Sequence, residues 1–143
     1  MLFFTFEWIY PQISPAEFSF NQSTLQAFYL FNTVTINGAT IASDDWVAAF
    51  NGDVCVGARQ WDVNNCNGGV CDVPVMGNDG SAYTDGYMES GEVPSFKIYS
   101  SNSNTIFNVM PSFTIDSWSN YHFQYEPDDI MDVVWSVNEA DYQ

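Results

Sequence analysis

The fold class of this chain is decided by the stretch Trp46-Val47-Ala48-Ala49-Phe50-Asn51-Gly52-Asp53-Val54-Cys55-Val56-Gly57-Ala58-Arg59. Two short apolar runs, residues 46–50 and 54–59, flank an Asn-Gly dipeptide, which is a strong local signal for a β-hairpin. A two-residue type I′ turn needs a positive φ at both central positions, and Asn and Gly tolerate that conformation. We therefore predict a hairpin in which Phe50 and Asp53 are direct neighbours and Gly52 has a positive φ.

Further strand-like runs lie on both sides of this hairpin. They are short and rich in β-branched and aromatic residues, and no window keeps the apolar stripe of a helix for three turns. The runs are residues 25–36, 96–99, 105–109 and 131–137. Six or seven short strands joined by polar turns predict an all-β fold, a single antiparallel β-sandwich of jelly-roll or immunoglobulin-like type.

The chain divides into a short arm and a body. Its 143 residues are typical of one domain, and we assign residues 13–143 to the sandwich and residues 1–12 to an apolar N-terminal strand or arm. Phe4, Phe6 and Trp8 share one face of this extended segment, and prolines at positions 11 and 15 separate it from the body. Such an arm suits strand exchange with a neighbouring subunit; the alternative is that it folds back onto its own sandwich.

The charge balance excludes two classes of partner. Two Lys and Arg residues stand against 18 Asp and Glu residues, a formal net charge of −16. Such a chain can neither neutralise the phosphates of a nucleic acid nor be attracted to an anionic membrane. The N-terminal run lacks a positive flank and is too short to cross a bilayer, so we expect neither a signal peptide nor membrane insertion. An aromatic content of 17% argues against disorder.

The segment 61–94 changes composition and predicts one long acidic loop excursion, because Asp, Asn, Gly and Ser crowd it. Cys66 and Cys71 bracket a flexible glycine pair and form a candidate disulfide, whereas Cys55 lies in a strand-like run and fits a buried thiol. The density of oxygen ligands suits a structural Ca²⁺, but the loop does not match a known calcium-binding motif, and a solvated acidic loop is the favoured interpretation. The candidate calcium ligands are Asp62, Asp72, Asp79 and Asp85.

Three further side chains are candidates for binding. Arg59 lies at the mouth of the acidic loop, and we expect it to anchor that loop through a carboxylate partner. Trp61 and Trp118 stand beside polar loops and are candidate platforms for a sugar ligand, whereas we expect Trp46 to pack in the core. No G-x-S-x-G nucleophile motif is present and His122 is the single histidine, so we expect the chain not to be an enzyme.

Three segments, residues 13–24, 45–58 and 90–99, resemble a small β-sandwich module of marine bacteriophage structural proteins and of marine bacterial surface or secreted proteins. The most specific piece is Asp-Trp-Val-Ala-Ala-Phe-Asn-Gly-Asp-Val-Cys-Val-Gly at positions 45–57. The resemblance covers roughly residues 13–110 and brings no catalytic residues with it. It implies a role in binding or assembly outside the cell.

These observations together predict a non-enzymatic structural subunit of an extracellular assembly. The favoured case is a phage virion protein of the tail, fibre or capsid surface, and the partners are then further copies of the chain or other virion proteins. The alternative is a Ca²⁺-dependent carbohydrate-binding or adhesion module, in which a glycan is the partner. Either case places the protein outside the cell or on a virion surface.

Overall fold

The computed structural model describes residues 14–109, 111 and 113–125, and this part of the chain is built from β-strands and short 3-10 turns, with no α-helix. Accordingly, it contains no helix that could cross a membrane. The strands are β1 (Gln26–Phe31), β2 (Thr35–Ile36), β3 (Ala39–Thr40), β4 (Trp46–Asn51), β5 (Val54–Gln60), β6 (Cys71–Met76), β7 (Ser95–Ser100), β8 (Thr105–Asn108) and β9 (Phe123–Gln124). The 3-10 turns are Ala16–Phe18, Val63–Asn65, Asn67–Gly69 and Ala82–Thr84. The prediction of an all-β fold is confirmed.

The strands form two main sheets and a small ribbon. One sheet has the order β6-β1-β9, with β1 antiparallel to β6 and parallel to β9. The other has the order β5-β4-β7-β8 and is antiparallel throughout. The ribbon pairs β2 with β3. This strand order does not identify the fold as a jelly-roll or as an immunoglobulin-like sandwich, so that part of the fold assignment stays a prediction.

The two main sheets share one hydrophobic core. Along β1 every second side chain is buried, and Ala27, Tyr29 and Phe31 face inward. They pack with inward residues of the other sheet, such as Val47 and Phe96, in one continuous cluster. Edge-to-face contacts of Phe96 with Tyr29 and Phe31, with ring centroids 5.8 and 5.1 Å apart, join the sheets through their aromatic rings.

The outer face of the β5-β4-β7-β8 sheet is also partly covered. Four consecutive residues of β4 are buried, which requires packing on both sides of the strand. Ala48, Phe50 and Cys55 form a second cluster there with Phe18, which comes from the 3-10 turn near residue 16. Strand β4 is therefore central in its layer, and its side chains reach both the core and an outer surface.

The β4–β5 hairpin forms as predicted, but its turn lies one residue further along. Asn51 pairs with Val54, so Gly52 and Asp53 are the two turn residues. Gly52 has a φ of 60°, whereas neither Asn51 nor Asp53 has a positive φ. A positive φ at the first central position alone is typical of a type II′ turn. The predicted type I′ turn and the pairing of Phe50 with Asp53 are therefore wrong; Phe50 pairs with Cys55 across a β-bulge.

The prediction of a single acidic loop over residues 61–94 is wrong for the middle of this segment. Cys71–Met76 is a strand, β6, and it pairs along its whole length with β1. Val73 and Val75 of β6 are fully buried in the common core. The remaining stretches of the segment are two separate connections, before and after β6, and each is held by its own hydrogen bonds.

Some of the predicted elements lie outside the described residues. These are the N-terminal arm with Phe4, Phe6 and Trp8, and the strand at residues 131–137. The strands predicted at residues 25–36, 96–99 and 105–109 correspond to β1 with β2, to β7 and to β8.

Candidate functional site

The connection before β6 is closed by a disulfide between Cys66 and Cys71, whose Cα atoms lie 5.0 Å apart. The intervening chain turns through Gly68 and Gly69, which have φ values of 63° and 79°. Residues with a side chain are strained in that conformation, so the glycine pair lets the short loop close. Cys55 is free and buried, and burial raises the pKa of its thiol.

Arg59 ties β5 to the strand that leaves this loop. Its Nε donates a hydrogen bond to the backbone oxygen of Asp72 at 2.8 Å. Its Nη2 donates to both carboxylate oxygens of Asp72, at 3.2 and 3.0 Å. This three-bond contact joins the edge strands of the two sheets next to the disulfide, in the anchoring position that we predicted for Arg59.

The four aspartates predicted to bind calcium lie in different contacts and do not form one site. Asp72 is paired with Arg59, and Asp62 accepts hydrogen bonds from the backbone of Asn64 and the side chain of Asn65. Asp85 is exposed, and it forms no hydrogen bond with any residue that the structure describes. Across the described ranges, no three His, Cys, Asp or Glu side chains lie close enough together to hold a metal ion. The structure therefore does not bring the predicted ligands together, and a bound Ca²⁺ stays a prediction.

Asp79, the fourth of these aspartates, organises the connection after β6. Its carboxylate accepts hydrogen bonds from the backbone of Ser81 at 3.0 Å and from the hydroxyl of Thr84 at 2.8 Å. It also accepts from the backbone of Thr24 at 3.2 Å, in a different part of the chain. The hydrogen bonds from Ser81, Thr24 and Thr84 hold the pKa of Asp79 well below its usual range. Asp79 is therefore a loop-closing residue.

The prediction that Trp61 and Trp118 form a sugar platform is wrong, because both side chains are 3% exposed. Trp61 packs against Phe31 in the core. Trp118 donates a hydrogen bond from Nε1 to the backbone oxygen of Val75 at 2.9 Å, and its ring covers Gly77, where a Cβ would lie 2.2 Å from it. Neither indole presents a face to solvent on which a sugar could stack.

A different tryptophan lines a surface cleft. The cleft has a volume of about 300 Å³ and lies between the start of β4, the end of β5 and the disulfide loop. We call it the Trp46 cleft; its lining includes Trp46, Arg59, Gln60, Asp62, Asn65 and Cys66. Sequence reasoning assigned Trp46 to the core because it lies inside a strand run. The signal that it missed is the position of Trp46 as the first residue of the strand, where one side opens to the loop.

A second surface feature is an exposed group of aromatic residues around β9. Tyr121, Phe123 and Tyr125 are 79%, 60% and 40% exposed, and we call them the aromatic edge. Strand β9 pairs with β1 on one side, and no other described strand pairs with it. Phe123 also lines a groove of about 390 Å³ together with the outward side chains Phe28 and Leu30 of β1.

The single histidine is paired in a structural contact. The His122 Nε2 atom lies 2.9 Å from a carboxylate oxygen of Asp116. The imidazole packs edge-to-face against Tyr29, whose hydroxyl donates to the backbone oxygen of Asp116 at 2.9 Å. Burial, and then the nearby Asp116 charge, raise the pKa of Tyr29 above its usual range. This contact fixes the turn before β9.

The Trp46 cleft and the aromatic edge are thus two surface features of the described residues that could bind a partner. Comparisons of the sequence with protein-family models and curated proteins, and of the fold with solved structures, find no match for the chain.

Proposed function

We propose that the chain is a non-enzymatic structural subunit of an extracellular assembly, in the first instance a bacteriophage virion protein of the tail, fibre or capsid surface. The observation that carries the proposal is the aromatic edge formed by Tyr121, Phe123 and Tyr125. The resemblance of residues 13–110 to a marine phage and surface-protein module supports the virion location.

The aromatic edge has the properties of a contact surface between subunits. Contiguous exposed apolar side chains are uncommon on isolated proteins and mark interaction sites, because each costs free energy when it is left in water. The edge surrounds β9, whose outer side has no partner among the described strands, and an unpaired strand is a ready site for pairing with another chain.

The net charge of −16 restricts the ways in which two copies of the chain can contact each other. Two such chains repel each other, so a contact between copies must be driven by apolar burial and must keep most carboxylates apart. An aromatic patch on one strand edge satisfies both requirements. Phe123 contributes an uncharged, 60% exposed ring to such a contact.

The disulfide between Cys66 and Cys71 supports a location outside the cell. Disulfides persist in oxidising surroundings such as the extracellular space and virion surfaces, and they are rare where cytosolic thiol systems keep cysteines reduced. The disulfide closes a loop beside the Trp46 cleft, so oxidation would fix the shape of that surface.

The proposal is tested by measuring the mass of the full-length protein in solution and in its native particle. Multi-angle light scattering should show one oligomer of fixed stoichiometry, and particles purified from the source should contain the chain in a fixed, symmetric copy number. Phe123→Ser should shift the protein in solution to the monomer without changing its melting temperature, because the ring is largely exposed.

The matched control is Tyr83→Ser, since Tyr83 is 75% exposed but belongs to the 3-10 turn Ala82–Thr84, outside the aromatic edge. It should keep the wild-type mass. A wild-type chain that stays monomeric at every concentration and is absent from particles would overturn the proposal. Equal loss of mass in both variants would contradict the assignment to the aromatic edge.

A further inference from the structure

We propose that the Trp46 cleft is a binding site for one unit of a neutral saccharide. This inference goes beyond the assembly role, because a subunit contact does not require sugar binding. It also assigns the aromatic contact with the sugar to Trp46, and no longer to the buried Trp61 and Trp118. The two proposals can fail independently, since one is tested by molecular mass and the other by ligand binding.

The lining of the cleft combines an aromatic surface with planar polar groups. The indole of Trp46 lies beside the side chains of Arg59, Gln60, Asp62 and Asn65. Saccharides present apolar C–H faces and rings of hydroxyl groups, so their binding needs an aromatic surface and side chains that both donate and accept hydrogen bonds. The Trp46 cleft offers both within a single small volume.

Trp46 also carries an unmet hydrogen-bonding requirement. Its Nε1 is buried, and it is the one buried side-chain nitrogen or oxygen in the described part of the chain without a hydrogen-bond partner. A buried N–H without an acceptor is costly, by about 1–3 kcal/mol. Because this nitrogen is buried, a sugar in the cleft does not reach it and contacts the indole ring of Trp46 instead.

The other polar residues are fixed in place and still have atoms available. Gln60 donates from Nε2 to the backbone oxygen of Ser43 at 3.0 Å, which leaves its Oε1 as an acceptor. Asn65 donates from Nδ2 to Asp62 at 2.7 Å, which leaves its Oδ1. Arg59 uses Nε and Nη2 on Asp72, which leaves Nη1 as a donor. Donors and acceptors therefore both surround the indole.

The charge around the cleft selects a neutral ligand. The guanidinium of Arg59 is neutralised by Asp72, and the lining of the cleft contains one carboxylate, that of Asp62. The whole chain is strongly negative, so a phosphorylated or carboxylated sugar would be repelled. A hydroxyl-rich, uncharged unit makes hydrogen bonds without this electrostatic cost.

The wall of the cleft is rigid before any ligand arrives. Cys66 is held by its disulfide to Cys71, and Asp62 caps the 3-10 turn Val63–Asn65. A preformed wall reduces the entropy lost on binding. The volume of about 300 Å³ is at the lower end for ligand pockets, which suits one sugar unit and an affinity on the order of 1 mM.

The test uses the methyl glycosides of glucose, galactose, mannose and N-acetylglucosamine as probes, added to ¹⁵N-labelled full-length protein. The indole N–H resonance of Trp46, identified by its disappearance in Trp46→Phe, should shift and saturate with at least one glycoside, while those of Trp61 and Trp118 stay unchanged. Asn65→Ala should weaken this binding about fivefold, the effect of losing one hydrogen bond.

The matched control is Asn64→Ala, because Asn64 is exposed on the same 3-10 turn and does not line the cleft. It should bind as the wild type does. Failure of all four glycosides to shift the Trp46 resonance would overturn the proposal. A saturable shift that is unchanged in Asn65→Ala would overturn it as well, since the sugar would then lie elsewhere.

Discussion

Asp79 shows how one side chain connects separate parts of this fold. It accepts hydrogen bonds from Ser81 and Thr84 in its own loop and from Thr24 before β1. Since all of these bonds favour the ionised carboxylate, the pKa of Asp79 lies below its usual range. The loop after β6 is thus stabilised by an acid that must remain charged.

The first prediction concerns the pH dependence of this contact. A group whose pKa is lowered by folding stabilises the protein above its unfolded pKa, about 3.9 for Asp, and loses that contribution as the pH falls through its folded pKa. Asp79→Asn should therefore lower the free energy of unfolding at pH 7 and flatten its decline below about pH 5. Urea denaturation at several pH values measures both effects.

Asp85→Asn is the matched control for Asp79→Asn. Asp85 lies in the same connection but is exposed and accepts no hydrogen bond within the described ranges. Its variant should keep the stability and the pH dependence of the wild type. If the two variants behaved alike, the hydrogen bonds of Asp79 would not be the source of the effect.

The indoles show why the candidate site was harder to predict than the fold. Trp61 and Trp118 stand beside polar residues in the sequence, yet both are buried, because a side chain at the end of a strand can turn back into the core. Trp46 lies in an apolar run, yet it lines a cleft. The local composition indicates that a residue belongs to a strand. It does not indicate whether the side chain at the end of that strand faces the core or the solvent.

The elements were predictable where the residues are rich in aromatic and β-branched types or flank a turn, as in β1 and in the β4–β5 hairpin. Strand β6 was not, because Asp72 and Pro74 lie inside it and both residue types are depleted in strands. The strand order explains the exception. Strand β6 is the edge of its sheet, where a proline without an N–H donor is tolerated.

The second prediction is a close approach between two strands. A Cβ on Gly57 of β5 would lie 1.6 Å from the backbone oxygen of Pro74 in β6. No side chain can be accommodated there unless the two strands separate. Gly57→Ala should therefore destabilise the protein by about 3 kcal/mol or more, in the upper range for overpacking. Chemical denaturation measures the loss, and complete failure to fold is its extreme form.

Gly52 in the hairpin turn supplies the comparison. A Cβ there meets nothing within 4 Å, but the φ of 60° strains most side chains. Gly52→Val should cost about 1–2 kcal/mol, and Gly52→Asn should cost less because Asn tolerates this conformation. Equal losses for Gly57→Ala and Gly52→Asn would contradict the close approach of β5 and β6.

At the scale of the whole molecule, burial of apolar side chains favours the folded state, whereas repulsion between the acidic side chains opposes it. The shared core of the two sheets holds together a chain in which 18 acidic residues stand against two basic ones. Both basic residues are already engaged, since Arg59 pairs with Asp72 and the Lys97 ammonium lies 4.4 Å from the ring centre of Phe50. Most carboxylates therefore have no cation within the chain to oppose them.

The last prediction follows from this self-repulsion. Raising NaCl from about 0.01 M to about 0.15 M shortens the screening length from about 30 Å to about 8 Å and should raise the melting temperature, measured by calorimetry at pH 7. CaCl₂ at the same ionic strength should raise it further, because a bound Ca²⁺ is held by several oxygen ligands at once. Equal shifts from the two salts would contradict the calcium prediction and leave screening alone. An unchanged melting temperature in both salts would mean that repulsion does not limit the stability of this fold.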